Sequence, residues 1–294
     1  MSSRPAPDRS CATAPYRGRI APSPTGWLHA GHARTFTVAW RRARDAGGNC
    51  ILRMEDLDTA RCKPEYFTGA YDDLAWLGLD WSEGPDTGGP HAPYTQSERL
   101  GIYQSLWTAL RDTGCIYPSP HSRKDVRDAL SAPHDNGGEA VFPPSLRPPA
   151  GTGLNTPEPG CVNWRFRVPD HRVVRFTDGR CGDTAYTAGS DFGDFIVWRK
   201  DGFPSYEFAV VVDDHLMGIT EVVRGEDLLL STARQLLLYE ALGWTAPAWY
   251  HCELVRDAQG RRLAKRTDAQ SLRAIRMAGA DPCALHKRLF APQV

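Results

Sequence analysis

The stretch Arg19-Ile-Ala-Pro-Ser-Pro-Thr-Gly-Trp-Leu-His-Ala-Gly-His32 constrains this chain more than any other. Ile20 and Ala21 read as the end of a strand, and Pro22, Pro24 and Gly26 break regular structure into a tight turn. From about Leu28 the period changes. Ala33, Phe36, Trp40 and Ala43 form an apolar stripe at helical spacing, and Gly47-Gly48 stops the run. A strand feeding a turn and then a helix with His29 and His32 in its first turn suits an anion, because unpaired N–H groups at a helix N-terminus attract negative charge. The spacing of the two histidines puts their rings on one face. The pattern is neither the G-x-G-x-x-G of a dinucleotide site nor a Walker loop.

Downstream, Cys50–Asp58 predicts a strand with Ile51, Arg53 and Glu55 on one face and Leu52, Met54 and Asp56 on the other. Charges near a strand's carboxyl end suit a site in an open α/β sheet. Helices are expected over 64–78 and 97–113. Between about Gly114 and Asp191 Pro and Gly become dense and periodicity fades until Val162–Val168 alternates, which reads as an inserted α+β subdomain. Ile196–Arg199 and Phe208–Val212 predict buried strands either side of an Asp201-Gly202 turn. Ile219–Asp227 then leads into a helix over 231–242 with a Ser-Thr cap. Two short helices, from Ser271 and from Pro282 to Phe290, follow the basic run Arg261–Thr267. Strands alternating with helices argue a parallel α/β sheet interrupted by the insertion.

Composition excludes several classes. A chain of 294 residues, 41% hydrophobic, can bury a substantial core, and no apolar run has the length of a membrane span. The formal net charge of zero announces no global field, so nucleic acid would need a local patch. Arg123, Lys124, Arg127, Arg261, Arg262 and Arg266 are the candidates for phosphate contacts. Residues 1–16, rich in Ser, Pro and Ala without an apolar centre, read as a disordered extension and not as a targeting segment. The eight cysteines include no C-x-x-C pair, so free thiols in a reducing cytoplasm are expected. Cys115, His121, His134 and Cys161 are too irregularly spaced to read as a metal site.

Five segments, Arg19–His32, Arg53–Asp58, Pro204–Ala209, Val223–Asp227 and Arg262–Arg266, stand in an order and at separations that resemble the glutamyl-tRNA synthetase family of class I aminoacyl-tRNA synthetases. The resemblance runs from about Arg17 to the end. It implies an α/β fold: a Rossmann-like parallel sheet with an inserted α+β subdomain and a short C-terminal helical segment. The implied division is an extension (1–16), a first catalytic half (17–113), the insertion (114–190), a second catalytic half (191–250) and a KMSKS-like loop with C-terminal helices (251–294), without an anticodon-binding domain. The short length resembles the family's truncated branch, which activates glutamate without tRNA and loads it onto the queuosine at the wobble position of tRNA(Asp). That branch implies ATP and Mg2+ as requirements and L-glutamate and the tRNA(Asp) anticodon stem-loop as partners. It also implies a monomer, no membrane and a cytoplasmic location.

Carried onto matching positions, the resemblance makes Arg19, Ala21 and Ser23 glutamate contacts and sets Glu55 and Tyr206 at the ammonium end. Arg224 becomes the holder of the side-chain carboxylate, a job for a planar fork. His29 and His32 resemble the pair that meets the ATP phosphates. Arg262 and Lys265 belong to the second ATP signature, with Lys265 facing the charge that develops on pyrophosphate. Such chemistry needs positioned positive charge and no protein nucleophile. Two departures stand out. Arg262-Leu263-Ala264-Lys265 replaces the first Lys and the Ser of K-[ML]-S-K. Ser119, His121, Phe142 and Leu146 stand where relatives bind zinc, and because Phe and Leu cannot ligate, no zinc is expected and packing has to hold the insertion. Two other readings fit the same residues: glutamate activation for a different acceptor (another tRNA, a carrier protein or a small molecule), and a non-catalytic RNA-binding paralogue.

Overall fold

A computed structural model describes residues 15–122, 125–126, 141–255 and 271–290. The chain opens with β1 (Arg17–Ile20), α1 (Ala30–Asp45) and β2 (Asn49–Leu52), and β1 and β2 pair in parallel with Arg19 opposite Ile51. Of the apolar stripe, Ala33, Phe36 and Ala43 are buried and Trp40 is partly buried against the same cluster, with Ala39 buried beside them. Arg42 and Arg44 lie in the last turn of α1, where a cation suits the helix dipole, and Gly47 takes φ +62, which ends the run. Tyr16, expected in the disordered extension, is instead anchored: its carbonyl accepts from Asn49 N–H at 3.0 Å and its hydroxyl donates to Glu221 at 2.6 Å. The remainder of the expected extension, residues 1–14, lies outside the described residues.

Next come α2 (Pro64–Trp76), α3 (Leu100–Asp112), β3 (Ile116–Ser119), β4 (Asn163–Phe166), the antiparallel hairpin β5 (Val173–Asp178) and β6 (Gly182–Thr187), and β7 (Phe195–Trp198). β3, β4 and β7 form an antiparallel sheet, while β5 also pairs in parallel with β9 (Ala248–Cys252), Asp178 standing opposite Trp249. Between β7 and β9 lie α4 (Tyr206–Leu216), β8 (Glu221–Gly225) and α5 (Leu229–Ala241), and β8 pairs in parallel with β9. Thr220 N–H donates to Arg17 C=O, which sets β8 beside β1. The parallel strands β1, β2, β8 and β9 and the helices between them give the α/β class expected from the sequence.

Three local expectations give way. Phe208–Val212 is not a strand but the middle of α4, started by Ser205, whose hydroxyl accepts from Phe208 N–H. The run is buried on every side, so helical periodicity is erased from the sequence. The Ser-Thr cap expected for α5 is not a cap: the helix begins two residues earlier after a 3-10 turn, and the Ser231 and Thr232 side chains reach inward to other partners. The strand expected over Cys50–Asp58 ends at Leu52. Its continuation stays extended because Arg53 N–H and Glu55 N–H donate to the Ile20 and Pro22 carbonyls.

Two apolar clusters hold these elements. One joins Trp107, Trp164, Phe166, Phe195, Phe208, Leu237 and Trp249 across the antiparallel sheet, α4 and α5. The other joins Ile20, Leu28, Phe36, Leu52 and Leu74 to Leu272, Leu285 and Leu289 of α6 (Leu272–Met277) and α7 (Pro282–Phe290). Burying each such side chain contributes about 1.5–3 kcal/mol, which clamps the C-terminal helices to α1 and α2. No described helix is long and apolar enough to cross a membrane.

Candidate active site

A cleft of about 600 Å³ opens where β1, β2, β8 and β9 end, the carboxyl edge at which open α/β sheets bind ligands. Among its lining residues are Arg19, Ala21, Ser23, Glu55, Tyr206 and Arg224 together with His29 and His32. The structure therefore brings eight of the sequence-derived candidates to one cleft. Arg262 and Lys265, with Ala264 between them, lie outside the described residues, as do Arg123, Lys124, Arg127, His134, Arg261 and Arg266. The ends of the segment that carries Lys265 are described: Val255 lines the cleft, and Ser271 bridges to His29, with Leu272 N–H donating to Leu28 C=O at 2.7 Å.

The two histidines start α1 by capping one another. His29 Nδ1 accepts from Gly31 N–H at 3.1 Å, and His32 Nδ1 accepts from His29 N–H at 3.2 Å. An imidazole nitrogen that accepts carries no proton, so in each neutral ring the proton sits on Nε2, which becomes a donor suited to phosphate oxygen. The rings stack at 3.8 Å between centroids. Gly31 permits the fold-over, since a Cβ there would sit 2.9 Å from the His29 ring.

Across the cleft floor the cations and carboxylates are buried. Arg53, without exposed surface, donates to Asp214 at 2.7 Å and to Glu55 at 2.9 Å. Arg19 donates to Asp214 at 3.3 Å and to the Val223 carbonyl at 2.8 Å. Burial raises the Glu55 carboxyl above its ordinary range, opposed by the Arg53 and Arg19 charges. Asp213, next to Asp214, lies 3.7 Å from Arg53 and is bonded by Arg99, Gln96 and Tyr103.

Arg224 is placed differently. Its Nε donates to His251 Nε2 at 3.2 Å, its Nη2 to Thr232 Oγ1 at 2.8 Å and to Leu228 C=O at 3.4 Å, and its Nη1 to the Tyr206 hydroxyl at 3.4 Å. The fork expected for the substrate is thus largely committed to the protein, with Nη1 beside the Tyr206 hydroxyl and both residues lining the cleft. Behind it, His251 Nδ1 meets Asp178 at 2.6 Å. Burial, then the Arg224 charge, push the imidazole down to about 4, although Asp178 works in the opposite direction.

Sequence reasoning missed Asp178, Thr232, Asp214 and His251. Asp214 had a signal, an Asp pair closing an apolar run; His251 and Asp178 meet only through the pairing of β5 with β9.

The expected zinc positions hold a packed cluster. Ser119 accepts from Arg165 at 3.2 Å, Phe142 is buried beneath the Arg165 guanidinium at 4.3 Å, the His121 and Phe142 rings lie 6.2 Å apart, and Leu146 packs against Tyr117, Val126 and Phe142. Among the described residues no group of three His, Cys, Asp or Glu could hold a metal ion.

The profile of the family described as tRNA synthetases class I (E and Q), catalytic domain, matches residues 16–290. Glutamyl-Q tRNA(Asp) synthetases of Symbiobacterium thermophilum and Nitratidesulfovibrio vulgaris are 47% and 46% identical, each alignment covering 90% of this chain and 82% of the relative. The glutamate–tRNA ligase 2 of Acidithiobacillus ferrooxidans is 41% identical over 93% of this chain and 57% of its own length. A crystal structure of a glutamate tRNA ligase from Elizabethkingia meningosepticum in complex with its amino acid superposes with a TM-score of 0.75 at 34% identity, covering 86% of this chain and 52% of that one. The chain spans about half the length of the solved glutamate tRNA ligase it matches.

Proposed function

The chain belongs to the class I tRNA synthetases of the glutamate and glutamine branch, a family of ligases, and from that premise we propose that it activates L-glutamate with ATP in the absence of tRNA and then transfers it to the queuosine at the wobble position of tRNA(Asp). One observation carries the reading: Arg19, Glu55, Tyr206 and Arg224 share a single cleft with His29 and His32, so an amino-acid side and a phosphate side face one another. The truncated relatives, of which the alignments cover 82%, bear the queuosine name and support the acceptor.

In this reading the glutamate α-carboxylate attacks the α-phosphorus of ATP in line, the bond to the β-phosphate oxygen breaks, and glutamyl-adenylate and pyrophosphate form. Arg19, Ala21 and Ser23 hold the amino acid, Glu55 and Tyr206 meet its ammonium end, and Arg224 meets its side-chain carboxylate. The Nε2 protons of His29 and His32 donate to phosphate oxygens. Lys265, on the segment whose two ends flank the cleft, neutralises the leaving pyrophosphate, and Arg262 assists. A hydroxyl of the acceptor nucleoside then attacks the mixed anhydride and releases AMP. Mg2+, when bound with ATP, would screen the charge of the phosphates.

The test is pyrophosphate exchange by purified protein with ATP and Mg2+, comparing glutamate, glutamine and aspartate, with and without tRNA. Exchange with glutamate alone in the absence of tRNA is expected. Labelled glutamate is expected on queuosine-containing tRNA(Asp) and not on the same tRNA lacking queuosine. Absence of exchange from folded protein would overturn the activation step, and label on another RNA, a carrier or a small molecule would overturn the acceptor. Lys265→Ala is expected to slow exchange about 100-fold or more, the cost of removing one preorganised donor to developing charge.

A further inference from the structure

The cleft's buried arginines are not equivalent. Arg53 and Arg19 both donate to carboxylates, whereas Arg224 donates to an imidazole, two hydroxyls and a carbonyl. Arg224 is nonetheless buried, 4% exposed. Glu207 is close enough to feel its charge, but no carboxylate among the described residues bonds to it; burying a guanidinium without a bonded carboxylate is costly, so an arrangement that withholds one serves an incoming anion.

How the charge is withheld can be read backwards from Asp178. Its carboxylate accepts backbone N–H groups from Arg180 at 3.0 Å, Cys181 at 2.8 Å and His251 at 3.1 Å. Burial works to raise this carboxyl, but the donors outweigh it and hold it at about 2. An ionised Asp178 fixes the proton of His251 on Nδ1, leaving Nε2 with a lone pair for Arg224 Nε. Thr232 Oγ1 fixes a second guanidinium nitrogen. A carboxylate in the place of His251 would fix the same edge but cancel the charge; a neutral ring between Asp178 and Arg224 fixes it and leaves the charge in place.

We propose that Asp178 and His251 are a positioning pair that locks Arg224 by its Nε edge while leaving its charge for the side-chain carboxylate of the substrate, a role that deepens the glutamate reading above and rests on it. The pair sets selectivity for an acidic side chain over its neutral amide, because only an anion completes the buried cation.

Two substitutions at one position separate the contacts. In His251→Gln the amide oxygen reaches the place of Nε2 and still accepts from Arg224; in His251→Asn the amide nitrogen reaches the place of Nδ1 and serves Asp178 alone. Glutamate-dependent pyrophosphate exchange is measured for KM of glutamate and KM of ATP separately, with glutamate binding followed by calorimetry. The Asn variant is expected to raise KM for glutamate about tenfold or more, the loss of one hydrogen bond to a charged group, with KM for ATP moving less than about twofold. The Gln variant is expected to restore KM for glutamate to within about threefold of wild type. Thr232→Val, nearly isosteric, is the second variant should the Asn protein fail to fold, and is expected to raise KM for glutamate severalfold with KM for ATP kept. Equal effects of Asn and Gln, or a parallel rise in KM for ATP, would overturn the pair. Wild-type protein that lacks exchange but binds glutamate overturns the activation step and leaves the pair to be decided by binding of the variants; wild-type protein that does not bind glutamate overturns both.

Discussion

Asp194 and Asp214 are both buried aspartates that two arginines bond, and the two networks end differently. Asp194, just before β7, accepts from the Tyr117 hydroxyl, from Arg147 through both Nε and Nη2 at 2.7 Å, and from Val168 N–H at 2.9 Å, while Arg165 donates to its carbonyl. Arg147 is further matched by Asp170. That network is closed within the protein. Around Asp214, the guanidinium groups of Arg19 and Arg53 meet the carboxylates Asp214 and Glu55, Arg53 also lies 3.7 Å from Asp213, which Arg99 matches, and Arg224 lines the same cleft with no carboxylate of the described residues among its hydrogen-bond partners. That network opens on the cleft. The first arrangement holds an antiparallel sheet together; the second leaves Arg224 at the cleft with no such carboxylate in hydrogen-bond contact.

The largest effect that can break this contrast is expected at the closed network. Asp194→Ala removes the shared acceptor of the Tyr117 hydroxyl, Arg147 and Val168 N–H, leaving Arg147 with Asp170 as its one carboxylate among the described residues, which costs about 3–5 kcal/mol, read as a lowered midpoint in urea. KM for glutamate of the protein that remains folded should stay within about twofold. A collapse of glutamate binding at full stability would show that the two networks are coupled. The opposite pattern is expected at the open one. Arg224→Gln should lower kcat/KM for glutamate about 100- to 1,000-fold, the size of a lost desolvated charge pair, with little loss of stability because an uncompensated cation has been removed. If Arg224→Gln destabilises the protein as much as Asp194→Ala, Arg224 is structural.

What the sequence alone disclosed follows the same division between local and distant. The turn, the helix start and the histidine pair were legible because each depends on neighbours within four residues, and even the mutual capping lies within Gly31 and His32. Arg19, Glu55, Tyr206 and Arg224 are far apart in the chain, and only the ordered motifs joined them; the structure now shows them lining one cleft. Asp178 and His251 are 73 residues apart on strands whose pairing no local pattern announces. Phe208–Val212 was misread for a physical reason, since a helix buried all round has no polar face to reveal its period. Ser231 and Thr232 look like a cap in sequence because their hydroxyls suit one, yet they serve Glu207 and Arg224 from inside α5.

Acid should separate the networks next. His251 is held at about 4 in the fold against an ordinary 6.5, so between those values the unfolded chain binds a proton that the native protein refuses. Stability from this group is complete above about pH 6.5 and is lost as pH falls toward 4, by at most about 3 kcal/mol. Asp178, held at about 2, adds a further loss below its ordinary 3.8. Urea midpoints of wild type and His251→Gln, compared from pH 7 to pH 4, isolate the term: the wild type should lose stability over this range more steeply than the variant. Parallel curves would mean that His251 titrates normally in the fold and that its ring is not locked to Asp178.

The smallest effect decides how the closed network shares its work with packing. Phe142 stands at an expected zinc position, with its ring 4.3 Å from the Arg165 guanidinium, and its backbone approaches Gly193 so closely that a Cβ there would meet Phe142 N at 2.4 Å. The ring therefore sits in a fixed seat between the chain that leads to Asp194 and the arginine that donates to the Asp194 carbonyl. Phe142→Leu keeps an apolar side chain and removes the π-face, so it should cost about 1 kcal/mol, the size of a partly desolvated cation–π contact, and leave glutamate kinetics within about twofold. Thermal melts of Phe142→Leu, Asp194→Ala and the double variant measure the coupling. A double variant less destabilised than the sum of the two singles would show the ring and the carboxylate supporting one structural unit. Additive losses would make Asp194 the hub and Phe142 filler, and a Phe142→Leu loss larger than that of Asp194→Ala would reverse the roles, with apolar packing carrying what the ionic network was assigned.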